Sequence, residues 1–428
     1  MTGVSRHARQ TLASLALRDF RVLWIGFLGT WMAMQMQQVA RGYLAYKLSG
    51  NALSLGLVTL SMGLPRIVLS PIGGVMADRF SKRSVLMGTQ AVLGVSTAVA
   101  GVMVALNVMT VPWLMVFGFV QGAAFSFNLP ARQAYLPQLT GKGAMLSNAI
   151  ALNSAGMNLT RVVGPALAGL LIAVPRIDVA GVYALTAVCF LCVWVTTYQV
   201  QNRGVSAMSR RSMGQSLSDG FRYIGARPHL LVLMSLGFVP LAIGMVYINL
   251  MPVVALGKLN IGSQGLGLLL TVSACGSLVG TLVIAYIAAF PRKAALQLAL
   301  GVTFGLALLG FAFSLSHQWL APGFLFLFLT GMAADSYMAL NSTLILSNTD
   351  EAIYGRVMGV YMMSQSIRPI TVLPMSALAD AIGALFTLSL SGGFVAVFVG
   401  AVATLYPGYR RIGMEAELQP RGARTEPA

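Results

Sequence analysis

The sequence predicts an all-α membrane protein of twelve transmembrane helices in two six-helix bundles. Three observations predict it. Of 428 residues, 57% are hydrophobic and only 9% are charged, against about 25% charged in an ordinary soluble domain. Apolar runs recur along the chain, most of about 20 residues or more, enough to cross a ~30 Å hydrocarbon layer. A single long polar segment, 201–228, divides those runs into two sets of six.

In order, the runs are 22–46, 52–76, 84–106, 111–128, 146–172 and 179–200, then 230–255, 265–290, 294–314, 320–346, 357–382 and 384–406. The domain expectation follows: an amino-terminal bundle over 1–200, a linker over 201–228, a carboxy-terminal bundle over 229–407 and a tail over 408–428. Residues 11–20 alternate at helical spacing and read as a short helix on the inner membrane surface. In the linker, Ser218-Asp219 reads as the cap of a short helix through Phe221 and Tyr223. The polar tail after Pro407 is expected to be disordered.

Charge placement sets the expected orientation. With the amino terminus inside, Arg79, Lys82, Arg83, Arg132, Lys142, the linker arginines, Arg292, Lys293 and Arg356 all fall on the inner side. The outer loops then hold only Lys47, Arg176 and Lys258. Both termini are expected in the cytoplasm of a bacterium, with the chain in its inner membrane. The formal charge of +17 therefore reflects membrane topology and not nucleic-acid binding.

Several function classes are disfavoured. Cys189, Cys192 and Cys275 lie in apolar runs without metal spacing, and His7, His229 and His317 lie at or outside run ends. No phosphate-binding Gly-x-x-x-x-Gly-Lys-Ser/Thr loop is present, which argues against an ATP-driven pump. The expectation is a non-enzyme with no cofactor and no metal.

Between the second and third runs stands Gly73-Gly74-Val75-Met76-Ala77-Asp78-Arg79-Phe80-Ser81-Lys82-Arg83. This resembles the signature loop of the major facilitator superfamily of membrane transporters, with Ser81 where the family usually has glycine. The resemblance implies that Asp78 latches the second span to the start of the eleventh. Arg79 or Arg83 would steady it, Lys82 completes the basic cluster, and Gly74 allows close helix approach. A plain positive-inside loop is the alternative reading.

A second stretch, Gly164-Pro165-Ala166-Leu167-Ala168-Gly169, resembles the motif of the superfamily's antiporters, which are mostly exporters. Thr160 replaces an earlier glycine of that motif, and a purely structural kink at Pro165 is the alternative. The segments 20–24, 40–44, 128–134 and 355–359 follow in order. Over roughly Arg18 to Tyr406 the chain resembles a bacterial branch holding enterobactin-exporter-like and macrolide-efflux permeases.

Polar residues inside spans mark candidate sites. Trp31, Gln35 and Gln38 share one face of the first span, with Arg41 beside it and close enough to the outer interface to snorkel. Gln121, Phe125, Asn128 and Arg132 share a face of the fourth. These faces are candidates to line a cavity, and interhelical hydrogen bonding is the alternative use of their amides. Asn158 and Arg161 are echoed by Gln365 and Arg368, and either bind an anionic group or hold carbonyls freed by proline. Asp335, with Arg66 or Arg368 in reach, is the candidate proton-coupling carboxylate, and a fixed salt bridge is its alternative.

Together these imply a monomer in the lipid bilayer that exports a small drug-like compound, siderophore or metabolite. Proton antiport with alternating access would drive it. An uptake permease or uniporter is the second reading, and a non-transporting membrane scaffold is the reading from another class.

Overall fold

The computed structural model describes residues 13–141, 143–202, 204, 213–287, 290, 292–350, 353–406 and 408–409, and they are helical nearly throughout. A short 3-10 helix, Ala13–Ala16, precedes α1 (Arg18–Ser49), α2 (Ala52–Arg79), α3 (Lys82–Ala105), α4 (Val111–Thr140), α5 (Ala144–Ile172) and α6 (Asp178–Gln199). After the short α7 (Met213–Gly225) come α8 (Pro228–Lys258), α9 (Gly262–Tyr286), α10 (Lys293–Ser316), α11 (Leu320–Ser347), α12 (Tyr354–Ile382) and α13 (Ala384–Leu405). Over the described residues, ten of these are long and apolar enough to cross a membrane. The other two long helices are α1, which carries Gln35, Gln37, Gln38 and Arg41, and α12.

Local chemistry sets the helix ends. Gly50 closes α1 at φ +69°, where a side chain would be strained. The Asn51 side chain then caps α2 by accepting from Ser54 N at 2.9 Å. Ser81, the departure from the family glycine, is the N-cap of α3, with its hydroxyl accepting from Ser84 N at 3.2 Å.

The chain divides into two compact units. The first comprises Met1–Arg210, Asn249–Thr271 and Val372–Asp380, and the second Arg211–Ile248, Val272–Thr371 and Ala381–Ala428. Within the first, α2 crosses α4 so closely that a methyl on Gly122 would collide with the Met62 carbonyl. Within the second, Gly331 of α11 meets the Ser273 carbonyl of α9 in the same way. The second and fourth long helices of each set therefore pack through one device, a glycine against a carbonyl. The repeat is structural even where the sequences differ.

Prolines are compensated by named partners. Pro240 lacks the N–H that would bind the Leu236 carbonyl, and the Tyr337 hydroxyl of α11 donates to that carbonyl at 2.6 Å. Farther on, α8 tightens to a 3-10 turn at Gly244–Val246 and loosens to a π-helix at Val253–Lys258. No such interruption was legible in its continuous apolar run.

Four expectations need correction. The fourth helix continues past Asn128 to Thr140, carrying Pro130 and Pro137 inside it. The segment before α1 is not one short helix where described: a 3-10 helix over Ala13–Ala16 ends before Leu17, residues 18–20 already belong to α1, and the buried Ser14 donates through its N–H and hydroxyl to Asn148 Oδ1 at 3.1 and 2.6 Å. In the linker, α7 begins at Met213, so Ser218-Asp219 caps nothing, and Asp219 instead accepts from Arg356 at 3.0 Å. The tail's described start is ordered, because the buried Tyr409 hydroxyl donates to Gln297 Oε1 at 2.6 Å. Burial raises that phenol's pKa above its ordinary value. Residues 11–12 and 410–428 lie outside the described residues.

Candidate functional site

The end of the first unit that carries Gly50 and Asn51 is held by a carboxylate from far along the chain. Asp380, late in α12, accepts from the amides of Ala52 and Leu53 at 2.6 and 2.8 Å. Those amides open α2 and have no partner within their own helix. One carboxylate therefore satisfies two orphan donors and sits at the positive end of the helix dipole. Below it, Thr59 of α2 donates to Asn249 Oδ1 of α8 at 3.4 Å.

The same unit contains the crossing of α5 with α9. A methyl on Gly169 would lie 2.7 Å from the Ser263 carbonyl and 2.8 Å from Gly267 Cα. One on Gly267 would lie 2.7 Å from the Pro165 carbonyl. Gly164 lets α5 approach α1, since a methyl there would lie 2.6 Å from Gln35 Cβ. The Gly-Pro-x-x-Ala-Gly stretch thus serves two interfaces at once, and only glycine fits either.

Between α1, α3, α4 and α6 lies a polar interior. Gln37, which sequence reasoning passed over for Gln35 and Gln38, is buried and donates to Thr97 and Thr186 at 2.8 and 3.3 Å. Arg41 does not snorkel outward. It donates to Gln121 Oε1 at 3.0 Å and to the Gln37 carbonyl at 3.3 Å. Gln121 in turn donates to Thr97 at 3.4 Å, and Asn128 donates to Thr89 at 2.8 Å. These amides tie α4 to α3 in this structure. Gln38 alone of the three is exposed.

Toward the Arg18 end of α1, Arg132 is 6% exposed and lies over the rings of Phe27 and Trp31, 3.9 and 4.7 Å from their centroids. It donates to Asn153 Oδ1 of α5 at 2.7 Å. Arg66 of α2 stands 5.2 Å over the ring of Phe125, which is itself part of a buried cluster with Ala33, Leu93, Ala124 and Phe190. Asn158 and Arg161 are half-buried on α5.

In the basic loop, Arg79 is exposed and Lys82 is buried. Arg83 turns to α6, donating to the Tyr198 carbonyl and lying 5.2 Å over its ring. Gly74 is half-buried, whereas the side chains of Asp78 and Gln365 lie outside the described residues. In the second unit, Asp335 on α11 and Arg368 on α12 are both half-buried. Among the described residues no three His, Cys, Asp or Glu side chains are grouped to hold a metal ion.

Comparison with known proteins gives one consistent picture. The family described as "transmembrane secretion effector" matches residues 9–421. The chain is similar to the staphyloferrin A transporter of Staphylococcus aureus, 24% identical across 86% of this chain and 90% of that protein. It is similar to the multidrug efflux pump Tap of Mycobacterium tuberculosis, 27% identical across 88% and 90%. Macrolide efflux protein A of Streptococcus pyogenes is 19% identical across 92% and 98%. In fold it resembles the nucleoside transporter NupG, with a TM-score of 0.72 at 13% identity over 91% of this chain and 99% of that one.

Proposed function

Because this chain belongs to the transmembrane secretion effector family, within the major facilitator superfamily, we propose that it is a secondary-active exporter of a small molecule. It works as a monomer in a bacterial inner membrane, by alternating access between two bundles of six spanning helices, α1–α6 and α8–α13. Both termini face the cytoplasm, and proton entry drives export. The crossing of α5 and α9 at Gly169 and Gly267 carries the export reading, since it is built by the antiporter-like stretch. The efflux proteins among its relatives support the same direction.

In this reading α2 is latched at either end in turn. Asp380 holds its outer end while that side is closed. Asp78 engages the first turn of α12 when the inner side closes, and each latch must release before the other forms. Asp335 carries the proton. Gln38, Asn158, Arg161, Gln365 and Arg368 face the substrate path.

The test uses everted membrane vesicles energised by respiration. Ethidium and erythromycin should accumulate inside, and a protonophore should abolish accumulation. Uptake seen only in right-side-out vesicles would identify an importer. Movement of neither probe, nor of any compound in a broad drug and siderophore panel, would leave the scaffold. An outside-active reporter should give signal when fused at Gly50 or Gly383 and none at Ser212.

A further inference from the structure

In the first unit, α3, α4 and α5 carry no acidic residue. Arg132 lies within α4, and no Asp or Glu occurs between Arg79 and Ile177, the stretch that holds all three helices. A buried cation with no counter-ion is costly, and more so where lipid surrounds the helices.

Around Arg132 the imbalance extends to hydrogen bonding. Its only hydrogen bond among the described residues goes to Asn153. The rings of Phe27 and Trp31 take its faces, which fixes the guanidinium plane and leaves its edge for further acceptors. The indole N–H groups of Trp31 and Trp24 are buried and have no hydrogen-bond partner among the described residues. Trp24 belongs to the same cluster, because a methyl on Gly156, one turn beyond Asn153, would lie 3.6 Å from its ring. Arg132, Trp31 and Trp24 offer donors and no acceptor, and the Asn153 oxygen is already occupied by Arg132. A purely structural cluster would bury two indole donors unmade, which native interiors rarely tolerate.

We propose that Arg132, Trp31 and Trp24 form a binding subsite for the carboxylate of an organic anion with an apolar or aromatic body. This rests on the transporter reading and adds a substrate class to it. The guanidinium edge takes a carboxylate bidentately, the indole N–H groups satisfy its remaining lone pairs, and the neighbouring rings cover the ligand's body. The donors are enclosed in this structure, so the ligand enters when α1 and α5 part. An anionic lipid headgroup offers similar oxygens, and the test separates the two.

The probe is radiolabelled benzene-1,3,5-tricarboxylate, with its neutral trimethyl ester as control, on the full chain in phosphatidylcholine nanodiscs. Saturable binding of the acid and none of the ester is expected. Arg132→Gln should weaken binding about tenfold or more, the scale of a hydrogen bond to a charged partner. Trp31→Phe removes the N–H together with the five-membered ring and should weaken binding several-fold; unfolding midpoints of both variants show that the protein whose binding is compared is folded. Adding phosphatidylglycerol should leave binding within about twofold. Absent or ester-indifferent binding overturns the proposal, as does wild-type affinity in folded Arg132→Gln and Trp31→Phe. Displacement by phosphatidylglycerol assigns the site to lipid and also overturns it. Ethidium export by the same protein reports separately on transport: if it persists while no carboxylate binds, the subsite fails and the transporter reading stands.

Discussion

Asp380 reaches the amide of Ala52 at 2.6 Å across 328 positions of sequence. The contact places a late acidic residue on the first turn of an early helix, beside the local cap from Asn51. Loss of a capping carboxylate costs about 1 kcal/mol, or roughly fivefold in an equilibrium constant. In a chain with Cys189, Cys192 and Cys275 replaced by serine, a cysteine probe at Asn249→Cys should therefore react faster with an impermeant thiol reagent when Asp380→Ala is added. A rise of about fivefold is expected, and an unchanged rate would reduce Asp380 to a local helix cap.

The glycine crossing makes a sharper prediction. Gly169→Val inserts bulk 2.7 Å from the Ser263 carbonyl. Export should fall about tenfold or more, a scale set by overpacking costs of ~1–3 kcal/mol. Gly393→Ala, which meets nothing within 4 Å, should leave export unchanged. Immunoblots of membrane fractions must show equal protein for the comparison to hold. Normal export by Gly169→Val would remove the crossing from the mechanism.

Arg41 distinguishes an inward hydrogen-bond network from a snorkelling side chain. Arg41→Leu strands Gln121 Oε1, which the guanidinium serves at 3.0 Å. The expected cost is about 1–3 kcal/mol, read as a lower unfolding midpoint of the purified protein. A snorkelling arginine would tolerate leucine with no change in that midpoint.

Energy coupling is tested at Asp335. Asp335→Asn should abolish proton-driven accumulation in everted vesicles while leaving substrate exchange down its own gradient. Persistent accumulation would exclude Asp335 as the proton site. Loss of both activities, with the protein still folded, would instead favour a fixed salt bridge.

The signature loop shows how far a motif reads. Its pattern gave the family and the position of Asp78, and the family match over residues 9–421 agrees. The fate of the basic cluster was not legible. Arg83 goes to Tyr198 on α6, a partner more than a hundred residues away that no local spacing announces. Gln37 was missed for a related reason. Helical periodicity groups Trp31, Gln35 and Gln38 on one face, but only the placement of Thr97 and Thr186 shows that the neighbouring face is buried and hydrogen-bonded.

The sequence by itself determined the helical membrane class and the family, because hydrophobic length and local motifs are properties of contiguous residues. Only the tertiary structure decided which donor meets which acceptor: Asp380 with Ala52 and Leu53, Tyr337 with the carbonyl freed by Pro240, and Arg132 with the rings of Phe27 and Trp31. The physical reason is reach. Span formation depends on about 20 adjacent residues meeting a hydrocarbon layer, whereas a buried polar group is satisfied by whatever the fold brings within about 3 Å.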